Sequence, residues 1–270
     1  MGILNKIGWA ISPILLSLYL DLTATSIHLS DMYLPFSLIV LIFIFLGIIT
    51  SFINLPELKA KGEDNVHLED FESLKVITFT KNKKNIFQFP HLFLGVLVLF
   101  YYVGVETITL ASPVDYATTI GLPNPQIYTS YTVGTMVFGY MLGVILIPKV
   151  VSQHKALIFC ASIGLVFSIT AVIIPQNISI YFVALMGFAN SLIWGPVWPL
   201  AISYLGKFTK TGSSILVMSI VGGAIFPLLF GFLIDFFGNM QDAYWICVPF
   251  YFYTLYFGLS GYKVGLKDVL

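Results

Sequence analysis

Glu106 lies inside a run of apolar residues, with Tyr102 four positions before it and Thr109 three after. At helical spacing these side chains share one face, so a phenol, a carboxyl group and a hydroxyl would address the same space. Within an apolar span an ionisable group is unfavourable, by about 2.5–3.5 kcal/mol for Asp, Lys or Arg at a helix centre, and it normally meets a cavity or a partner. Two readings fit Glu106: a hydrogen-bonding site open to a cavity, or a neutral acid bonded to a neighbouring helix. Asn190, Trp194 and Trp198 form a second stripe at four-residue spacing. Such a stripe suits a pyranose, with an indole against the C–H face of the ring and amide and carboxyl groups on its hydroxyls. Tryptophan also anchors membrane interfaces, and that reading stays open for Trp194 and Trp198.

No catalytic grouping accompanies these residues. The histidines, His28, His67, His91 and His154, are scattered without metal-ligand spacing, and no Walker, HExxH or GxSxG motif is present. The pattern points to passage across a membrane, not to an enzyme, and it implies neither metal nor cofactor.

The elements that must position these groups are long apolar helices. About 20 apolar residues cross a hydrocarbon core of roughly 30 Å, and such runs lie near 3–22, 32–55, 90–112, 128–147, 156–174, 178–204, 213–236 and 243–262. All 13 basic residues are lysines. Every one falls at Lys6, in the loop 56–89, or near 149–155, 207–210 and 263–267, while the alternate loops contain none. Cytoplasmic loops retain basic residues, so both termini are expected in the cytoplasm. With 58% hydrophobic and 10% charged residues, the composition describes a multi-pass helical protein in a lipid bilayer. The net charge of zero gives no reason to expect nucleic acid. The loop 56–89 collects six acidic residues and six lysines and reads as solvated.

The spans differ in polarity. The second, fifth and eighth are the plainest and are expected to face mostly lipid, with Tyr244 and Trp245 as interfacial belt residues. The third, fourth and sixth carry the tyrosines, threonines, Glu106, Asn190 and the tryptophans. Pro196 and Pro199 in the sixth span, and Gly222, Gly223 and Pro227 in the seventh, predict irregular or closely packed backbone. Cys160 and Cys247 fall within spans and read as small packing residues. Halved three and three, the last six spans place the third and sixth in corresponding positions, as in inverted repeats.

Several stretches resemble the fucose permease and glucose/galactose transporter group of the major facilitator superfamily. They are 190–199 (NSLIWGPVWP), 205–214 (LGKFTKTGSS), 221–228 (VGGAIFPL), 102–106 (YVGVE), 55–57 (LPE) and 231–238 (GFLIDFFG). The stretches 5–8 (NKIG) and 11–13 (ISP) resemble the family's fifth helix, so the eight spans would correspond to helices 5–12 of twelve, with about four helices lacking. The resemblance implies an all-α major facilitator fold: residues 1–55 as the last two helices of the N-terminal half, 56–89 as a cytoplasmic central loop, and 90–270 as the C-terminal six-helix half. It implies hexose transport in the bacterial inner membrane, with the proton as coupling ion. Asn5, Tyr102, Glu106, Asn190 and Trp194 are the expected sugar contacts, and Pro196, Pro199, Gly222 and Gly223 support helix movement or packing. Asn5 matches a family asparagine, whereas Gly2 stands where a family glutamine would be. Helices one to four would come from a separate polypeptide; the alternative is a truncated remnant that transports nothing.

Overall fold

The structure is a computed structural model that describes residues 29–52, 71–147 and 150–266. The predicted first span and Asn5 lie outside the described residues. Internal packing divides the chain into two units, essentially residues 3–59 and 60–270. In the first unit, α1 (Leu29–Phe52) is a continuous helix whose apolar side chains are exposed along most of its length.

The second unit is wholly helical among the described residues. A short helix, α2 (Phe71–Lys81), precedes α3 (Pro90–Thr119), α4 (Gln126–Leu146) and α5 (Gln153–Ile173). The sixth predicted span is two helices, α6 (Gln176–Ser191) and α7 (Trp194–Ala201). The seventh is α8 (Thr209–Met218), a 3-10 turn at Ser219–Val221, and α9 (Gly222–Phe237). The eighth is α10 (Met240–Ala243), a 3-10 turn at Tyr244–Ile246, and α11 (Cys247–Leu259). Five of these runs are long and apolar enough to cross a membrane: 90–119, 126–146, 153–173, 176–201 and 206–237.

Local sequence explains the boundaries. Pro90 opens α3 at the position where a missing N–H leaves no bond unmade. Asn239 caps α10 by accepting from the Asp242 amide at 2.8 Å, and Gly238 closes α9 in the left-handed conformation. At the C-terminus of α5, carbonyls that have lost their helical partners accept from Gln241 Nε2: Ala171 at 2.9 Å, Val172 at 3.0 Å and Ile174 at 2.5 Å.

α3 runs through the middle and packs on α4, α6, α7, α9 and α11, while α6 sits between α4 and α5. Glycines set the spacing of these helices. A Cβ on Gly104 would collide with the Phe226 ring, one on Gly222 with the Phe100 carbonyl, and one on Gly164 with the Tyr251 ring. Gly223 faces Val103 and Thr107, so the Gly222–Gly223 pair is a packing surface between α3 and α9. The irregular backbone predicted there begins one turn earlier, at Ser219–Val221.

Three expectations need correction. The fifth span buries a full face of small residues, Ala156, Cys160, Ala161, Gly164, Ser168 and Ala171, against α6 and α11. The eighth span likewise buries Phe250, Tyr251, Thr254 and Phe257. Tyr244 is not an interfacial belt residue: it is 0% exposed, its hydroxyl 2.6 Å from Ser112 Oγ and its ring against Phe230. Hydropathy alone cannot separate a lipid-facing helix from one with a face buried in protein, because both are apolar. Trp245, by contrast, is exposed. Cys160 and Cys247 are buried free thiols, as read from their spans.

The outer surface of α9 presents Leu228, 75% exposed, with Phe232 and Phe236 following at every fourth residue. Water would penalise such a face, whereas lipid accepts it. The glycines on the two sides of this helix should therefore behave differently. Gly222→Ala is expected to destabilise by about 1–3 kcal/mol through overpacking. Gly231→Ala, with nothing near its Cβ position, should be neutral or slightly stabilising. Thermal unfolding of the purified variants checks the contrast.

Candidate functional site

Tyr102 and Glu106 are one turn apart on α3, and the buried Tyr102 hydroxyl donates to Glu106 Oε1 at 2.6 Å. Tyr140 reaches the same place from α4 and interacts with both groups. Thr109, assigned to the same face from its spacing, belongs to a neighbouring polar junction. Its hydroxyl accepts from Asn190 Nδ2 at 3.1 Å, and Asn190 Oδ1 accepts from the Tyr251 hydroxyl at 2.8 Å. Asn190 is 0% exposed. The junction joins α3, α6 and α11 through a single amide that bonds protein at both ends.

The aromatic stripe is broken between Asn190 and Trp194. Pro196 cannot donate to the Leu192 carbonyl, and its ring crowds that carbonyl; the helix accordingly stops at Ser191 and restarts at Trp194. The interruption predicted from Pro196 and Pro199 lies one turn before Pro196, at Leu192–Ile193. The buried Cys160 thiol lies at the Leu192 backbone there. Beyond the break Trp194 stacks on Trp198, with centroids 5.7 Å apart and planes at 30°, and the Tyr102 ring lies 6.1 Å from Trp194. Tyr102, the phenol that bonds Glu106, thus also lies against the indole pair.

The structure therefore brings Tyr102, Glu106 and Trp194 together and places Asn190 in the adjoining junction. Tyr140 and Tyr251 were not singled out as site residues from sequence. Tyr140 carried a signal, as a tyrosine in the polar fourth span, while Tyr251 was hidden in an aromatic run read as lipid-facing. Among the described residues no cluster of His, Cys, Asp and Glu could hold a metal ion.

A central α3 packed by α4, α6–α7, α9 and α11 matches a known architecture. Over 86% of this chain and 55% of the other, it superposes on the crystal structure of the E. coli fucose:proton symporter FucP with a TM-score of 0.65, at 23% identity. The same transporter in its outward conformation gives 0.66. The fold is the major facilitator fold. Sequence relatives lie in the same group. A putative glucose/galactose transporter of Helicobacter pylori (strain ATCC 700392 / 26695) is 31% identical over 188 residues, which cover 67% of this chain and 46% of the relative. A glucose/galactose transporter of Brucella abortus biovar 1 (strain 9-941) is 29% identical over 269 residues, covering 96% of this chain and 61% of the relative. No family model matches the chain. The chain spans about half to two thirds of the length of these relatives. It is a multi-pass membrane protein, and its relatives are transporters, not enzymes.

The junction makes a prediction of its own. Asn190→Ala leaves the Tyr251 hydroxyl and Thr109 without their shared partner in a buried setting, which should destabilise the bundle by about 1–3 kcal/mol. Thermal unfolding checks this, and Tyr251→Phe, which removes one bond only, should show a smaller loss.

Proposed function

We propose that this chain forms part of a hexose transporter of the bacterial inner membrane, with both termini in the cytoplasm and uptake coupled to protons. The observation that carries the reading is the Tyr102–Glu106 pair set against the Trp194–Trp198 stack inside a major facilitator half. A carboxyl group and a phenol supply hydrogen-bond partners for sugar hydroxyls, and the indole and phenol rings supply a flat apolar surface for the C–H face of a pyranose. In this reading Tyr102, Glu106 and Trp194 touch the sugar. Asn190 holds the helices that carry them, since both ends of its amide already bond protein. Asn5 remains a proposed contact from the resemblance alone.

Pro196 and Pro199 act through the break that frees α7 to tilt relative to α6, and Gly222 and Gly223 through the close approach of α9 to α3. The transporting unit includes helices matching the remaining length of the relatives, in the same or a separate polypeptide. The lysine-bearing loops support the orientation, because positive residues are retained on the cytoplasmic side.

Uptake of labelled glucose and galactose into proteoliposomes tests the proposal, with this chain alone and with the helices matching the rest of its relatives. Sugar-dependent flux that rises with an inward proton gradient is expected in the second case. No flux in either case rejects the hexose reading and favours a remnant without transport activity. In the active form Glu106→Ala, which removes the proposed hydrogen-bonding partner of the sugar, should weaken hexose binding by about 10- to 100-fold; unchanged affinity would return Glu106 to a packing role.

A further inference from the structure

Where α2 meets the start of α3, the chain carries a feature that the proposed hexose site does not use. α2 lies against a 3-10 turn at Gly206–Phe208, and a Cβ on Gly206 would meet Thr80 and Val76, both buried. Beside this contact Phe79, Phe89 and Phe208 form an aromatic cluster, the Phe89 ring 6.0 Å from Phe79 and 5.5 Å from Phe208. Lys83 Nζ lies over it, 5.1 Å from the Phe79 centroid and 6.0 Å from that of Phe89. The cluster fixes the segment between α2 and α3. Within that segment the Lys84 amide donates to Gln88 Oε1 at 2.9 Å, and Ile86–Gln88 form a 3-10 turn.

The outside of this segment presents groups of two opposed kinds. Phe87 is 78% exposed and stacks on Phe93, with centroids 5.4 Å apart and planes at 4°. Leu97, one turn further along α3, continues the exposed apolar surface. Lys84, three residues before Phe87, and Lys81 are exposed as well. Positions 75–105 contain four lysines and no acidic residue, and positions 202–234, which include the turn under α2, contain Lys207 and Lys210 and again no acid. Water would penalise the phenyl pair, and hydrocarbon would penalise the lysines. Pro90 begins the membrane-crossing run 90–119, so Phe87 stands at the boundary where both can be satisfied. A ligand that matches both kinds of group carries a negative headgroup on acyl chains. A free anion leaves the rings uncovered, and a lipid of zero net charge leaves the lysines without a net negative partner.

We propose that this corner of the protein is a binding site for an anionic phospholipid. Lys81 and Lys84 take the headgroup phosphate, their long stems lying along apolar surface while the charge stays in the headgroup layer. Phe87 and Phe93 lie against the upper part of the acyl chains, and the aromatic cluster under Lys83 holds the segment that carries them. In the orientation proposed above the lipid belongs to the cytoplasmic leaflet. The site rests on the membrane-spanning fold and not on hexose recognition, so either can fail without the other.

Phe87→Trp places a fluorophore at the site, on an exposed side chain that fills no core. The full chain carrying it, alone and with the helices matching the rest of its relatives, is reconstituted in phosphatidylcholine vesicles. These contain a minor fraction of acyl-brominated phosphatidylglycerol or, separately, acyl-brominated phosphatidylcholine. Quenching of the added tryptophan is read as the difference from the unaltered chain. Phosphatidylglycerol is expected to be enriched over phosphatidylcholine at the site by about three- to fivefold, the effect of one lysine near an anionic surface. Lys81→Gln together with Lys84→Gln should remove the enrichment and leave quenching by phosphatidylcholine in place. Equal quenching by the two lipids with both lysines present overturns the proposal. Enrichment that survives the double substitution also overturns it, because the attracting charge then lies elsewhere. Enrichment abolished by inorganic phosphate at constant ionic strength marks a site for free anions and overturns the lipid assignment. Quenching by neither lipid means that protein covers Phe87, and it overturns the proposal too.

Discussion

Asn190 joins three helices through one buried amide, and the arrangement around Glu106 depends on it. In a bilayer, lipid is as apolar as the helix surfaces, so helices are held together by close packing and by hydrogen bonds between them. The amide bonds Thr109 on α3 and Tyr251 on α11 from its own place on α6. Thr109 is one turn beyond Glu106 on the same helix, so this junction sets how α3 is rotated and therefore where the carboxyl group points. Glycines complete the constraint. Gly104 and Gly222 let α3 and α9 approach until side chain meets backbone, and Gly164 does the same for α5 and α11.

Rigidity on one side of Glu106 is matched by irregularity on the other. α6 is fixed at Asn190, yet two residues later the helix is interrupted, and Trp194 and Trp198 ride on the short α7 beyond the break. The carboxyl group thus stands on a helix held by the Asn190 junction, while Trp194 and Trp198 stand on a segment whose continuity Pro196 has removed. Such a division puts the two indoles and the carboxyl group on separate helical segments, with the Tyr102 ring between them. The 3-10 turns at Ser219–Val221 and Tyr244–Ile246 place similar interruptions in the seventh and eighth spans.

Much of the fold was legible in the sequence because membrane helices are written in length and polarity. Every predicted span from the second onward appears as a helical run, although the third continues about two turns past its expected end, to Thr119, and the seventh begins a turn early, at Thr209. The pairing of Tyr102 with Glu106 followed from four-residue spacing alone. Which apolar faces meet protein was not legible: the fifth and eighth spans looked lipid-facing, and Tyr251 and Tyr244 proved to be buried hydrogen-bonding groups. Asn190 shows the same limit from the polar side. Its position in the stripe was visible, but its partners, at positions 109 and 251, are distant in sequence and are brought together only by packing.

In the proposed transporter Glu106 is part of a surface that a hexose covers. Carbodiimide modification of Glu106 in the complete transporting unit, followed by mass spectrometry with and without glucose or galactose, tests that claim most directly. Protection by hexose, absent with a non-binding polyol such as mannitol and weakened in Trp194→Ala, is the result this account predicts. Modification at the same rate with and without either sugar would contradict it.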